Sequence, residues 1–358
     1  MIYLLLQDLG WDPFFEKNYE PIRQPGLSVM RIAWENREKY TAYGELGEYD
    51  CSLSGRFRYE KENKGDFPAV GDWVAVSILP DEKKAVISAV LPRKSAFCRK
   101  VAGKVTGEQV VASNIDTVVI VMGLDLNFNL RRAERYLTMA WDSGALPVIL
   151  LNKADICPET ETRISEVEAV APGVEVKALS AFANVGMDIF GQYTGKGKTL
   201  AFLGSSGVGK STIINSLLGR EHMKVNEVSG AGSRGRHTTT YRELIPLPGG
   251  GMVIDTPGMR ELQVWGDEEA LELVFDEIGE LAVKCRFRDC AHESDPGCAV
   301  REALESGALS QKRFESYLKL KKEFVYLSKR AVMKPNALER SKWKEIRKRA
   351  KDFKKNEK

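Results

Sequence analysis

The stretch LAFLGSSGVGKSTIINSLLG, residues 200–219, decides how the rest of the chain is interpreted. An apolar strand leads directly into the spacing GxxxxGKS and then into a helix, which is the context of a phosphate-binding loop. Glycines let the backbone curl so that its amides face phosphate oxygens, and the helix places its positive end beneath the anion. A Gly-Ser turn that merely resembles the motif is the alternative, which the flanking strand and helix disfavour. The stretch predicts a triphosphate pocket at Gly204, Ser205, Ser206, Gly207, Val208, Gly209, Lys210, Ser211 and Thr212.

A magnesium ion is expected beside this loop. Lys210 supplies a point charge to the outer phosphates, and Ser211 supplies a hydroxyl to the ion. The sequence VIDTPG, residues 253–258, ends a later apolar strand. There, Asp255 suits magnesium through water and the amide of Gly258 suits the γ-phosphate.

Between the phosphate loop and VIDTPG lies the glycine-rich segment 228–244, which predicts a switch. Thr238 or Thr239 is expected to close over magnesium, and the sequence does not decide between them. The residue after DTPG is Met259, whose thioether cannot orient an attacking water. His237 is therefore the nearest candidate for that catalytic role, and a loop histidine or an RNA contact is the alternative.

The base is predicted from ILLNKADI, residues 149–156, which ends another buried strand. The carboxylate of Asp155 can accept hydrogen bonds from the ring N–H and the exocyclic amine of guanine, whereas adenine has no amine on that edge. Asn152 is expected to brace the loop, and Lys153 to lay its stem along the base. A solvated aspartate at a helix start is the alternative. The position at the end of an apolar strand favours guanine, because ligands of such sheets bind outside the carboxyl ends of the strands.

The next strand ends in ALSA, residues 178–181, which fits a second loop at the base. Ser180 and the amide of Ala181 are expected to face the guanine. The base-reading motif thus precedes the phosphate loop, whereas an ordinary GTPase has the opposite order. The order of base motif, phosphate loop, threonine segment and DTPG predicts a circularly permuted GTPase domain.

Composition and patterning set the wider organisation of this multidomain α/β chain. Its 358 residues carry a formal charge of +3, and the scattered cysteines do not form a secreted disulfide pattern. No run of residues is long and apolar enough to span a bilayer, so we expect a cytoplasmic protein with no membrane contact. Short alternating strands predict an OB-like barrel, with an SH3-like barrel as the alternative. The predicted boundaries are a lead-in at 1–26, the barrel at 27–111, the GTPase domain at 112–265, a zinc-binding helical domain at 266–330 and a basic tail at 331–358.

The segment CRFRDCAHESDPGC, residues 285–298, contains three cysteines and a histidine. Three thiolates and an imidazole are enough for a closed tetrahedral zinc site. The spacing departs from the common CxxC form, so free cysteines beside a surface histidine remain the alternative.

With its barrel before and its cysteine cluster after the permuted motifs, the chain resembles the bacterial small-ribosomal-subunit biogenesis GTPase family, also called RsgA or YjeQ. The resemblance implies GTP hydrolysis to GDP and phosphate, stimulated by the small subunit and serving its late maturation. It also implies one structural zinc ion held by Cys285, Cys290, His292 and Cys298. The expected partners are the small subunit and its rRNA, not DNA, and the chain is expected to be a monomer. An RNA-binding scaffold whose hydrolysis is incidental is the second hypothesis, which Met259 favours.

Overall fold

A five-stranded closed barrel occupies the region in which the sequence predicts short strands. The computed structural model describes residues 5–36, 38–61, 63–79, 82–101, 107–221, 242–255, 268–292 and 295–332. The barrel consists of β1 (Leu27–Asn36), β2 (Lys39–Gly44), β3 (Gly47–Leu53), β4 (Trp73–Ile78) and β5 (Lys84–Val90).

The pairing of these strands confirms the predicted OB-like barrel. β1 pairs with both β2 and β4, β2 pairs with β3, β4 pairs with β5, and the parallel pairing of β3 with β5 closes the ring. Helix α2 (Gly55–Glu60) follows β3, within the region 27–111 for which the sequence predicts short strands; Ser54 caps its N-terminus by accepting from the amide of Phe57. Phe57 is core, and Tyr59 is 90% exposed.

The residues before the barrel pack against it. Asp12 caps α1 (Pro13–Tyr19) by accepting from the amides of Phe14 and Phe15. The Trp11 ring lies edge-on against Trp73, with 4.8 Å between the ring centroids. The lead-in is thus anchored by the burial of aromatic side chains. After the barrel, β6 (Ala96–Val101) and β7 (Gly107–Ser113) form a separate two-stranded sheet.

A parallel sheet carries the predicted nucleotide motifs. Its strands are β8 (Thr117–Gly123), β9 (Leu146–Asn152), β10 (Glu175–Leu179), β11 (Thr199–Leu203), β12 (Arg242–Pro246) and β13 (Met252–Asp255). Helices α3 (Leu130–Ser143), α4 (Thr160–Glu168) and α5 (Lys210–Leu218) connect them. All residues of β8 and β11 are buried, which explains their continuous apolar sequences.

The spatial strand order is β10-β9-β8-β11-β13-β12, and only β12 is antiparallel to its neighbour. The strand that leads into the phosphate loop is therefore central, with the earlier strands on one side and the later strands on the other. This arrangement is what a circular permutation produces. The outer edge of β12 continues into the barrel, because β12 pairs antiparallel with β1 at Trp34↔Glu243 and Glu35↔Arg242.

The chain divides into two compact units, and the barrel and the parallel sheet belong to the first, residues 1–98 and 110–262. The second, residues 99–109 and 263–358, contains α6 (Glu268–Val274), α7 (Asp276–Ala282), α8 (Ala299–Glu305) and α9 (Gln311–Val332). The domain boundaries that the sequence predicts stay predictions. Among the described residues, no helix has the length and apolar character that crossing a membrane requires.

Arg31 of β1 joins three parts of the first unit. Its side chain is almost completely buried and donates to the carbonyl oxygens of Leu9 at 2.5 Å, Gly71 at 3.1 Å and Asn114 at 2.8 Å. Burial lowers the pKa of Arg31 to about 10. Its neighbour in this polar cluster is Asp72, which accepts hydrogen bonds from Arg93 and Ser113. The guanidinium thus ties the lead-in and the barrel to the start of the parallel sheet.

We expect Arg31→Lys to destabilise the first unit. A lysine ammonium cannot reach three separated carbonyl groups. The Gly71 carbonyl would keep Nδ2 of Asn114 as a donor, but a buried carbonyl of Leu9 or Asn114 left without a donor would cost about 1–3 kcal/mol. The midpoint of urea unfolding measures the loss. Arg56→Lys is the control, because the Arg56 side chain is 86% exposed and pairs with Glu60 of its own helix. Equal midpoints for the two variants would contradict the assigned role of Arg31.

Candidate nucleotide site and metal cluster

The carboxyl ends of five parallel strands meet at one edge of the sheet. Leu179, Asn152 and Gly123, the last residues of β10, β9 and β8, are directly paired across the sheet. β11 ends at Leu203 and β13 at Asp255 on the same edge. The predicted phosphate and base loops therefore follow strand ends on the same edge of the sheet.

The phosphate loop has the backbone that the motif requires. Gly204, Gly207 and Gly209 have positive φ angles of 153°, 77° and 98°, which favour glycine. The ammonium of Lys210 donates to the carbonyl oxygens of Gly204 at 2.8 Å and Ser205 at 2.7 Å. This places the lysine charge over the loop that begins α5. Ser206 is exposed, Ser211 and Thr212 are half-buried, and Val208 anchors the loop in the core.

The packing around Gly209 leaves no room for a side chain. A Cβ atom there would lie 2.1 Å from Nδ2 of Asn152, and one at Gly204 would lie 2.5 Å from the carbonyl oxygen of Val121. The glycines are thus required by both conformation and close approach.

Asn152 connects three loops of the candidate site. It is only 3% exposed, and its Nδ2 donates to the Val208 carbonyl at 2.8 Å. Its Oδ1 accepts from the Ala181 amide at 2.9 Å. One carboxamide therefore holds the base-reading loop, the phosphate loop and the ALSA loop together. The bracing role predicted for Asn152 has a specific geometry in these contacts.

The base-reading loop turns sharply at Lys153, a non-glycine residue with φ of 72°. Such conformations are costly and concentrate at functional sites. The next acidic residue, Asp155, is exposed, and its carboxylate has no hydrogen-bond or ion-pair partner within the described ranges. In the neighbouring loop Ser180 is buried, and its hydroxyl accepts from the Ala183 amide at 3.1 Å.

Two residues that the sequence analysis did not single out contact this site. Asp125 follows β8 and pairs with the Lys153 ammonium at 2.6 Å. Burial acts to raise the pKa of Asp125, but hydrogen bonds from Lys153 and Asn127 outweigh burial and lower it. Arg132 of α3 donates to the Ser205 hydroxyl at 3.1 Å. The sequence could have pointed to this loop, because Asp125 and Asn127 follow closely on a buried strand that ends at the same edge of the sheet.

The structure describes some of the residues that are predicted to bind magnesium or to act in catalysis. Asp255 ends β13 in a buried position, beside the strand that feeds the phosphate loop. His237, Thr238, Thr239 and Gly258 lie outside the described residues.

In the second unit, the four predicted metal ligands converge. The ligand atoms of Cys285, Cys290, His292 and Cys298 all lie within 4.8 Å of one another. The sulfurs of Cys285 and Cys298 are 3.9 Å apart, and Nδ1 of His292 lies 3.7 Å and 3.4 Å from them. A tetrahedral site with metal–sulfur bonds of about 2.3 Å has sulfur–sulfur edges of about 3.8 Å. The cluster therefore has dimensions that could hold a metal ion.

The local structure favours the metal-binding form of Cys285 and His292, whereas burial raises the pKa of the Cys290 thiol. Burial acts to raise the pKa of Cys285, but the backbone N–H groups of Val300 and Ala299 outweigh it and lower the pKa. Burial, with a contribution from Lys321, lowers the pKa of His292, which favours the neutral imidazole that binds metals. The backbone of His292 has a φ of 60°, in the left-handed region that residues other than glycine rarely adopt.

Comparison with known proteins gives consistent matches. The sequence profile described as RsgA GTPase matches residues 90–265. The chain is 44% identical to the small ribosomal subunit biogenesis GTPase RsgA of Opitutus terrae, over 96% of both chains. It is 42% identical to the protein of the same name from Syntrophotalea carbinolica, over 95% of both.

Solved structures with the same fold are also found. The crystal structure of YjeQ from Thermotoga maritima is 28% identical with a TM-score of 0.61, covering 84% of this chain and 99% of that one. YloQ, described as a circularly permuted GTPase, has a TM-score of 0.57 and covers 84% of this chain and 97% of that one. At 24% identity, YloQ supports the fold alone.

The close contact between Gly209 and the Asn152 side chain allows a test of the role of Asn152. We expect Gly209→Ala to weaken GDP binding at least about tenfold, because the new methyl group would push Asn152 away from the Val208 carbonyl. Fluorescence titration with a labelled GDP measures the change. Gly191→Ala is the control, because a Cβ there meets nothing within 4 Å. Unchanged affinity in Gly209→Ala would contradict the bracing role of Asn152.

Proposed function

The chain belongs to the RsgA GTPase family, and from that premise we propose that it binds the small ribosomal subunit and hydrolyses GTP to GDP and phosphate in the late maturation of that subunit. It is a ribosome-biogenesis GTPase, with guanine nucleotide and magnesium as the ligands of its GTPase domain and a ribosomal subunit as its partner. Stimulation of hydrolysis by the subunit is part of the proposal.

The observation that carries the proposal is the convergence of three loops through Asn152. Guanine would occupy the space between the NKAD loop and the ALSA loop, with the exposed Asp155 carboxylate accepting from its N–H and amine groups. Ser180 and Ala181 would line the other side of the base. The phosphates would lie on the loop at residues 204–212, next to the charge of Lys210.

The reaction needs a closed switch as well as a binding pocket. Ser211 and Asp255 would hold magnesium, joined by Thr238 or Thr239, and the ion would neutralise charge that develops on the phosphates. The Gly258 amide would contact the γ-phosphate, and His237 would hold the attacking water in line with it. The roles of Thr238, Thr239, His237 and Gly258 are inferred from the order of the motifs in the sequence.

The remaining parts support a ribosomal role. A small barrel offers a face for nucleic acid, and the basic residues after Lys312 suit rRNA phosphates. One structural zinc ion would be held by the three cysteines and His292, with no open position for catalysis. We propose a monomer that acts in the cytoplasm, where it would meet the maturing subunit. The RNA-binding scaffold with incidental hydrolysis is not favoured, because the relatives are named GTPases.

We expect purified protein to hydrolyse GTP slowly and to accelerate sharply when isolated small subunits are added. Phosphate release, measured with and without subunits and with ATP for comparison, tests both substrate and partner. Subunits that bind without changing the rate would contradict the stimulated mechanism. Subunits that do not bind would remove the proposed partner.

The variant Asp155→Asn tests the proposed contact between the Asp155 carboxylate and guanine. Loss of two charge-assisted hydrogen bonds would weaken GTP binding by about 100-fold. An asparagine amide can donate to the extra carbonyl group of xanthine, so the variant should gain affinity for XTP. Competition between GTP and XTP for the variant measures how far its preference has moved from GTP to XTP. A variant that still prefers GTP would show that Asp155 does not read the base.

The zinc site is tested by metal content and stability. We expect about one zinc ion per purified chain and its loss in Cys298→Ser, with a lower unfolding temperature, because metal binding contributes to folding. Elemental analysis and thermal unfolding measure the two effects. Cys157→Ser is the matched control, because Cys157 lies outside the cluster. Equal zinc content in both variants would refute the assignment.

A further inference from the structure

The loop after β8 lies between the two halves of the candidate nucleotide site. We call residues 124–129 the bridge loop. Its first residue, Leu124, donates its amide to the Asn152 carbonyl at 2.8 Å, which fixes the loop to the end of β9. Its last residue, Asn129, caps α3 by accepting from the Arg132 amide at 3.0 Å. Both ends of the bridge loop are therefore held by the elements that carry Lys153 and Arg132.

A continuous chain of contacts runs through the bridge loop. The Lys153 ammonium pairs with Oδ2 of Asp125 at 2.6 Å, and Oδ1 of Asp125 accepts from the Asn127 amide at 2.9 Å. The next contacts lead to the phosphate loop. Nη1 of Arg132 donates to the Asn127 carbonyl at 3.2 Å and to the Ser205 hydroxyl at 3.1 Å. The base-reading loop and the phosphate loop are thus connected by a second route, separate from the side chain of Asn152.

The position of Arg132 is electrostatically unusual. It lies in the first turn of α3, and that turn contains no acidic residue. A cation at a helix N-terminus is unfavourable, because the helix dipole is positive there. An anion nearby would compensate for this placement, and the phosphates of a nucleotide on the adjacent loop supply that charge. Ser205 accepts from Arg132, so its own hydroxyl proton stays available to donate.

Partial shielding strengthens the ion pair at the other end of the route. The side chains of Lys153 and Asp125 are 24% and 22% exposed, less than those of the surface ion pair Arg56–Glu60 at 86% and 52%. Shielded pairs are screened less by salt than exposed pairs. The pair fixes the Lys153 ammonium, so the lysine stem has a defined path across the base-reading loop.

We propose that Asp125 and Arg132 are positioning residues that couple recognition of the base to binding of the phosphates. This inference rests on the proposed function, because it assigns the site to a guanine nucleotide. Asp125 acts through Lys153, and Arg132 acts through Ser205 and through its charge near the phosphates. Binding of the base to the base-reading loop then helps to order the phosphate loop, and binding of the phosphates helps to order the base-reading loop.

The test is a double-mutant cycle on the dissociation constant of labelled GDP. Asp125→Asn keeps the shape of the side chain and removes its charge, and Arg132→Met keeps most of the stem and removes both hydrogen bonds. We expect each variant to weaken GDP binding about tenfold. Because one route contains both residues, the double variant should lose about 10- to 30-fold, well short of the 100-fold that independent effects would give. Arg56→Met is the control and should bind GDP like the unaltered chain.

Stability must be followed in the same samples. If the urea unfolding midpoints of the variants stay near that of the unaltered chain, the loss of GDP affinity is due to positioning and not to a loss of folding. The variant Arg132→Lys keeps the charge but not both hydrogen bonds, so it should bind GDP with intermediate affinity. Single variants with unchanged affinity, or losses that multiply fully in the double variant, would overturn the coupling. If the unaltered chain does not bind GDP, the proposed function fails instead, so the two failures are distinguishable.

Discussion

The carboxamide of Asn152 is the interaction on which the nucleotide site depends. It donates to the phosphate loop and accepts from the ALSA loop, while its own backbone ends the strand that carries the base-reading motif. These bonds are possible only because the strands are parallel and end at the same edge. The close approach of Gly209 to this side chain shows how little freedom remains, since the glycine is needed for packing as well as for its backbone angles.

A second set of polar contacts lies near the start of β8, where the chain enters the parallel sheet. Arg31 bonds to carbonyl groups of the lead-in, the barrel and the segment before β8. A buried guanidinium is expensive unless its donors are satisfied, so the three segments must be placed together for any of them to be stable. The barrel and the parallel sheet therefore share buried polar groups as well as hydrogen-bonded strands.

Much of the fold could be predicted from the sequence, because local patterns determine it. The spacing of the phosphate loop, the NKAD motif and the alternating strands each require only neighbouring residues, and the structure confirms the barrel and the permuted sheet. The helix at 55–60 was missed because RFRY has a strand-like alternation, while Ser54 and its cap override that propensity. Asp125 and Arg132 were missed for a different reason, since their partners are 28 and 73 positions away in sequence. No local pattern indicates such contacts, although the strand end before DLN indicated where to look.

The pairing of β12 with β1 has a consequence for how the chain can be divided. Without the barrel, β12 would form an edge of the parallel sheet and present unpaired backbone groups, and such edges invite pairing with other chains. β1 pairs with the first two residues of this edge, Arg242 and Glu243, and β1 is itself occupied by its barrel partners. The barrel therefore shields the start of β12 from pairing with another chain, and a fragment cut between the barrel and the sheet would expose these backbone groups.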